Sequence, residues 1–450
     1  MQSGPAGFRA FRGLPAPKET VMQYIIIGNS AAGLNAAEAI RAQDSAGKVT
    51  IISAENYPAY SRCLIPYFME GKISEENMLY QAKDYYEANR FEILLGRKVV
   101  SVQPAAKTIT LENGDTLHYD KLLIATGGSP EIPGTPGMDK AGVFGFRTTN
   151  DLKNITHLSK TAKNAIVMGG GCVGLMAASG LHSLGLKVTV VVKSPHLLSQ
   201  IADNEAGEIY RRQFERNGIT IRTGTDVVEV IGADKVEGAK LEDGTEVPCQ
   251  MIVVGKGVNS NIDLVKGAGI PTHWGIIVDD ELQTGASDIY AAGDVAETMD
   301  IVTEEGTVNA IWPAAAEQGR IAGANMTGRH HQYLGSMRMN SAEFFGLPLI
   351  SIGLVKPKEP GYEILTRHIK QRDIFKKVVL HDNMVVGVVL VGEIGNAGVY
   401  AGLMRKKVDV TSIKHRLLES SFGFADVVPI VGAQKEKFME PEYREFMVCK

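Results

Sequence analysis

Cysteine is scarce in this chain: four in 450 residues, Cys63, Cys172, Cys249 and Cys449. No two of them have the close spacing of a zinc site, an iron–sulfur site or a local redox disulfide. So sparse a set also excludes a disulfide-stapled scaffold, and a reducing cytoplasm is the expected compartment. No apolar run approaches the roughly 18 residues that span a bilayer, so membrane insertion is not expected. Basic excess is missing as well. A formal net charge of -4 offers no general attraction to nucleic acid or to an anionic lipid surface. Residues 1–21 lack the apolar core of a signal peptide, and Met22 stands directly before the first apolar run. They are read as an N-terminal extension without an assigned role.

Glycine, by contrast, is abundant: 49 residues, well above the usual share of about 7%. Many follow apolar runs. Tyr24–Ile27 lead straight into Gly28-Asn29-Ser30-Ala31-Ala32-Gly33, and good helix formers continue to Arg41. A buried strand, a small-residue turn and a helix open a dinucleotide-binding βαβ unit, whose turn lets backbone N–H groups approach a pyrophosphate. Ser30 stands where the middle glycine is usual. The strand Lys48–Ser53 closes the unit, and Glu55 lies near the spacing at which an acid meets a ribose hydroxyl. The pattern recurs at Ala165–Met168 and Gly169-Gly170-Gly171-Cys172-Val173-Gly174, with a second strand at Lys187–Lys193. There the position for the ribose acid holds Val192, followed by Lys193. Without a carboxylate the preference for a free 2′-hydroxyl is lost, so NADH and NADPH both remain open.

Between the units, Tyr60-Ser61-Arg62-Cys63-Leu64-Ile65-Pro66 runs into a short helix, since Pro66 suits a first turn. The helix dipole and Arg62 are expected to lower the Cys63 thiol pKa; a small buried cysteine that merely packs is the alternative. Residues 91–124 read as a strand, a hairpin turning at Asn113-Gly114, and a strand ending in Ala125-Thr126-Gly127. A further hairpin-like return covers 244–257, and Gly255–Asn261, including Gly257, reads as a hinge back to the first domain. Ile289–Ala292 then deliver Gly293-Asp294, a single carboxylate after a glycine, suited to hydrogen bonding a polyol such as ribitol. Trp312 opens an alanine-rich helix whose small residues, Ala315 among them, are expected to pack under a flat ring. From about residue 331 no nucleotide motif appears; paired strands around His381–Asn383 and a helix over 396–406 suggest an interface domain.

In order and over roughly residues 22–400, these motifs resemble the FAD-dependent pyridine nucleotide–disulfide oxidoreductases. The resemblance implies an α/β chain with two Rossmann-like domains, the NAD(P) domain inserted in the FAD domain, and a C-terminal α+β domain that forms a homodimer. The implied boundaries are 22–148 and 262–330 for FAD, 149–261 for NAD(P)H and 331–450 for the interface. It places FAD at Gly28, Ser30, Ala31, Ala32, Gly33, Glu55, Arg62, Val100, Ala125, Thr126, Gly127, Gly293, Asp294, Trp312 and Ala315. The nicotinamide nucleotide falls to Gly169, Gly171, Cys172, Val173, Gly174, Val192, Lys193 and Gly257. Cys63–Phe68 is similar to the single-cysteine motif of coenzyme A disulfide reductases and NADH oxidases, where the thiol is catalytic. Tyr60-Ser61-Arg62 is similar instead to the flavin-binding turn of nitrite and rubredoxin reductase relatives. Neither the paired cysteines of glutathione reductase nor its His-Glu dyad is recognisable. Three functions follow: a flavin enzyme exchanging electrons with an iron–sulfur or metalloenzyme partner, alone or within a complex; a Cys63-dependent disulfide reductase or oxidase; and a protein that binds FAD structurally.

Overall fold

The computed structural model describes residues 21–434 and 437. The fold is built on two parallel five-stranded sheets. In the first, the order is Ile289–Ala291, Lys121–Ile124, Gln23–Ile27, Lys48–Ser53 and Phe91–Leu95. Its inner strands are almost continuous apolar runs because helices and loops cover both faces. Strand order reverses at Gln23–Ile27, which opens a crevice beyond that strand's C-terminal end. The turn Gly28–Gly33 sits there, and the helix Ala31–Gln43 follows.

The second sheet repeats the plan with Thr220–Thr223, Lys187–Val192, Asn164–Met168, Met251–Val254 and Val143–Phe144. Val143–Phe144 already belongs to it, earlier than the boundary near residue 149 that the sequence suggests. A two-residue strand carries no periodicity by which to find it. The chain crosses between the sheets twice, and the crossings pair: Gly128–Pro130 runs antiparallel to Val258–Ser260. Asn261 ties them further. Its Nδ2 donates to the Thr126 carbonyl at 2.8 Å, and its own carbonyl accepts from Thr126 Oγ1 at 3.0 Å.

In the alanine-rich helix Trp312–Met326, Gly319 and Gly323 face the helix Ala31–Gln43. A Cβ on Gly319 would stand 2.2 Å from the Ala32 carbonyl oxygen, and one on Gly323 2.4 Å from that of Ala36. The two helices therefore touch backbone to backbone. Ala315 alone of the small residues borders the Gly293 turn, its Cβ 3.5 Å from where a glycine side chain would begin.

The C-terminal part forms an antiparallel sheet in the order Met339–Phe344, Leu347–Gly353, Met384–Val391, Ile374–His381, Tyr362–Ile369, with the helix Ala397–Arg405 packed on it. Asp382 and Asn383 both take positive φ, as a tight hairpin turn requires. Phe344, Leu349, Phe375 and Val391 join a core shared with Tyr210 and Phe214 of the second sheet's layer.

Candidate functional site

At the first turn the backbone itself forms the cradle. Gly28 has φ +130°, and a Cβ there would lie 2.0 Å from the Ala125 carbonyl oxygen; one on Gly33 would lie 1.9 Å from the Gly28 carbonyl oxygen. No acidic residue occupies the first turn of the helix Ala31–Gln43, so its N-terminal N–H groups face the crevice unneutralised. Asn29 adds a donor: its Oδ1 accepts from Tyr86, while its Nδ2 is buried without a partner. Across the crevice Gly293 takes φ +81° and donates its N–H to Gln318 Oε1 at 2.7 Å, which aims the following Asp294. These residues fit a dinucleotide whose pyrophosphate meets the turn and whose polyol meets Asp294. Thr126 and Gly127 (φ +66°) lie at the crossing; Trp312 packs edge-on against Tyr80, and Val100 is half-exposed on the strand Val99–Gln103.

A polar chain connects the remaining groups. Arg62 donates to Glu55, to the Tyr60 hydroxyl at 2.7 Å and to the Arg147 carbonyl at 3.0 Å. The Tyr60 hydroxyl donates to Glu55 Oε2 at 2.8 Å and accepts the Thr149 N–H at 3.1 Å. Burial raises the Tyr60 pKa, with the Glu55 charge adding to it, so the phenol stays protonated. Arg147 Nη2 meets Asp294 Oδ2 at 2.8 Å. Sequence reasoning missed Tyr60 and Arg147 as members of this network. The signal for Arg147 was its place just before Thr148-x-x-Asp151, a capping box that starts the helix Thr149–Ser159 and fixes the arginine's backbone.

Cys63 departs from expectation. It lies in a 3-10 turn, Arg62–Leu64, ahead of the five-residue helix Ile65–Met69, and Arg62 points away to Glu55 and Tyr60. The thiol is exposed but crowded by protein; desolvation raises its pKa, Asp294 adds to the rise, and Ser61 and Arg147 offset only part. Since the thiolate is the reactive form, iodoacetamide should label Cys63 first among the described cysteines, at a rate still climbing at about pH 9. Cys172 and Cys249, pushed by burial up to about 12, should label only on unfolding. A Cys63 rate that levels off near neutral pH would contradict the raised pKa.

The second turn matches the first. Gly169 has φ +119° with the Gly255 carbonyl oxygen 2.3 Å from its absent Cβ, and Gly174 closes on the Gly169 carbonyl oxygen at 2.1 Å. Around Gly171 the space is open. Val173 is exposed, whereas Cys172 packs beside the shared core. Val192 is buried at its strand end; Lys193 projects into solvent, 4.0 Å from Glu242. Thr225, whose N–H bonds the Val192 carbonyl at 3.3 Å, buries a hydroxyl without a partner. Gly257 takes φ +128° in the crossing. Among the described residues no cluster of three or more His, Cys, Asp or Glu is arranged to hold a metal, and no helix is long and apolar enough to cross a membrane.

Residues 22–319 match the model of the pyridine nucleotide-disulphide oxidoreductases. The chain belongs to that family. As a pyridine nucleotide-disulphide oxidoreductase it is an FAD- and NAD(P)H-dependent enzyme. Residues 339–408 match the rubredoxin NAD+ reductase C-terminal domain. Over 401 residues, 88% of this chain and 94% of the relative, it is 33% identical to the NADH-dependent phenylglyoxylate dehydrogenase subunit epsilon of Aromatoleum evansii. It is also 33% identical to the nitrite reductase [NAD(P)H] of Bacillus subtilis over 86% of its own length, but spans only 48% of that protein. An NAD-dependent persulfide reductase from A. fulgidus shares the fold, with a TM-score of 0.83 over 92% of this oxidoreductase and 84% of that chain, at 24% identity.

Proposed function

We propose that this oxidoreductase passes electrons between a pyridine nucleotide and an external iron–sulfur or metal-containing partner, as the NAD(P)-handling subunit of a larger electron-transfer complex. The observation that carries this reading is Cys63: a lone thiol with a raised pKa, its neighbouring arginine committed elsewhere, is poorly prepared to act as a nucleophile. The C-terminal likeness to a rubredoxin reductase domain and the subunit status of the Aromatoleum relative support it. In this reading Gly28–Gly33, Ala125–Gly127 and Asp294 hold FAD, with Glu55, Arg62 and Tyr60 bracing the crevice wall. The turn Gly169–Gly174 holds the nucleotide, with Val192 and Lys193 admitting either NADH or NADPH. When bound, FAD supplies the exchange of a two-electron hydride for single electrons. Arg147 and Asp294 share one ion pair at the crevice mouth, so Asp294 reaches a polyol only as Arg147 yields or joins it. The C-terminal sheet serves the homodimer or the partner subunit.

The second reading, a Cys63-dependent disulfide reductase or oxidase, is supported by one observation: the charges of Asp294 and Arg147 both act on the thiol. Anaerobic titration decides between them. NADH or NADPH should bleach the flavin absorbance in wild type and in Cys63→Ser alike, and turnover with a one-electron dye should agree within about two-fold. Loss of turnover with a disulfide acceptor in Cys63→Ser, with bleaching intact, would transfer the assignment to the thiol route. No bleaching by either nucleotide would leave FAD a structural role.

A further inference from the structure

The stretch after the strand Lys187–Val192, from Lys193 to Asp203, is held from two sides. Toward the second turn, Leu198 donates its N–H to the Gly170 carbonyl at 2.7 Å. Val192 Cγ2 and Leu197 Cδ2 close over Gly170, 2.8 and 3.0 Å from where its Cβ would stand. Toward the C-terminal sheet, Ser351 Oγ donates to the Ile201 carbonyl at 2.7 Å and Lys356 Nζ to the Ser199 carbonyl at 2.9 Å. Lys377 Nζ reaches both carboxylate oxygens of Asp203, at 2.7 and 3.0 Å. Lys377 is only 3% exposed, an ammonium buried in an apolar strand to meet this one carboxylate.

Two of these three residues, Ser351 and Lys356, bond main-chain carbonyls, so they sense the path of the loop and not its side chains. The path is constrained: Leu198 takes φ +56°, a left-handed conformation that a bulky residue keeps only where its surroundings over-determine it. A ligand on the turn Gly169–Gly174 lays its adenosine half over the C-terminal end of the strand Lys187–Val192, where this loop begins. We propose that the C-terminal sheet, through Lys377, Ser351 and Lys356, sets the loop's conformation and thereby the affinity for the pyridine nucleotide. Lys377 acts as a positioning residue. The inference rests on the reading that the second turn holds that nucleotide.

Steady-state kinetics of the FAD-loaded enzyme test it, with NADH and NADPH each as donor. Lys377→Met should raise the nucleotide KM about ten-fold, with kcat and the FAD-to-protein ratio unchanged. Ser351→Ala, which removes one bond and strands no charge, should raise it about three-fold and carries the test if Lys377→Met fails to fold. Lys377→Arg, which keeps the cation, should return most of the affinity. Gly171→Asp, a carboxylate in the open part of the turn, separates the two possible failures. If it raises KM while Lys377→Met and Ser351→Ala do not, the positioning role is overturned alone. If it too leaves KM unchanged, the nucleotide does not sit on the second turn, and both readings fall.

Discussion

A Gly28→Val variant should fold poorly and retain almost no FAD. At φ +130° a branched side chain is strained, and its Cβ would stand 2.0 Å from the Ala125 carbonyl oxygen and 2.7 Å from the carbonyl carbon. Both obstacles are backbone at the end of the neighbouring strand, so no side chain can swing aside. Strain of about 1–3 kcal/mol from the conformation adds to a similar overpacking cost, together a large part of the stability of an ordinary domain. The flavin-to-protein absorbance ratio and the thermal midpoint of the purified variant check this. Wild-type FAD content with an unshifted midpoint would show that the turn is not the cradle described. Gly171→Ala makes the control for stability: with nothing within 4 Å of its absent Cβ, it should leave the midpoint in place.

Arg62→Ala should be the next most damaging change. The guanidinium serves Glu55, Tyr60 and the Arg147 carbonyl at once, with only 26% of its side chain exposed. Removing it strands the Glu55 carboxylate, itself 28% exposed, beside a phenol that already donates to it. Losing one partner of a buried pair costs about 3–5 kcal/mol; with this much solvent access about 3 is expected. Arg62→Lys should recover little, because a point ammonium cannot reproduce the forked geometry. Denaturant unfolding measures the loss, and the double variant Arg62→Ala/Glu55→Ala should cost less than the two single changes summed. A loss below about 0.5 kcal/mol in Arg62→Ala would mean that the network is an ordinary surface arrangement.

The parts of this architecture that sequence makes visible are those with a local cause. An apolar strand must run into glycine where the next backbone comes within 2.0 to 2.3 Å of a missing Cβ, so Gly28 and Gly169 announce themselves. Asp294 is visible for the same reason, following Gly293 at the end of a buried strand. Arg147 is not, because its meaning comes from partners 85 and 147 positions away, Arg62 and Asp294. The state of Cys63 was misjudged through its neighbour: adjacency suggested that Arg62 would stabilise a thiolate, but three stronger acceptors claim it. The alanine-rich helix reads as a close-packing surface, but its helix partner is not legible, since small residues fit a helix as well as a ring. Lys377 gave no sign at all. A lysine in a strand reads as an edge charge until an aspartate from another part of the chain is found opposite.

The paired crossings carry an implication for ancestry and for engineering. Because Gly128–Pro130 and Val258–Ser260 lie side by side, the entire second sheet enters and leaves the molecule through one doorway. A module whose two ends already touch interrupts its host no more than a surface loop does. The nucleotide-binding half is therefore a cassette: two cuts within one short ribbon would lift it out, and another with the same spacing between its ends would fit the gap. Beyond that doorway it is held on two sides, by Ser179 Oγ donating to Glu70 at 2.6 Å and by Asp203 meeting Lys377 of the C-terminal sheet, so a transplanted cassette must bring both partners.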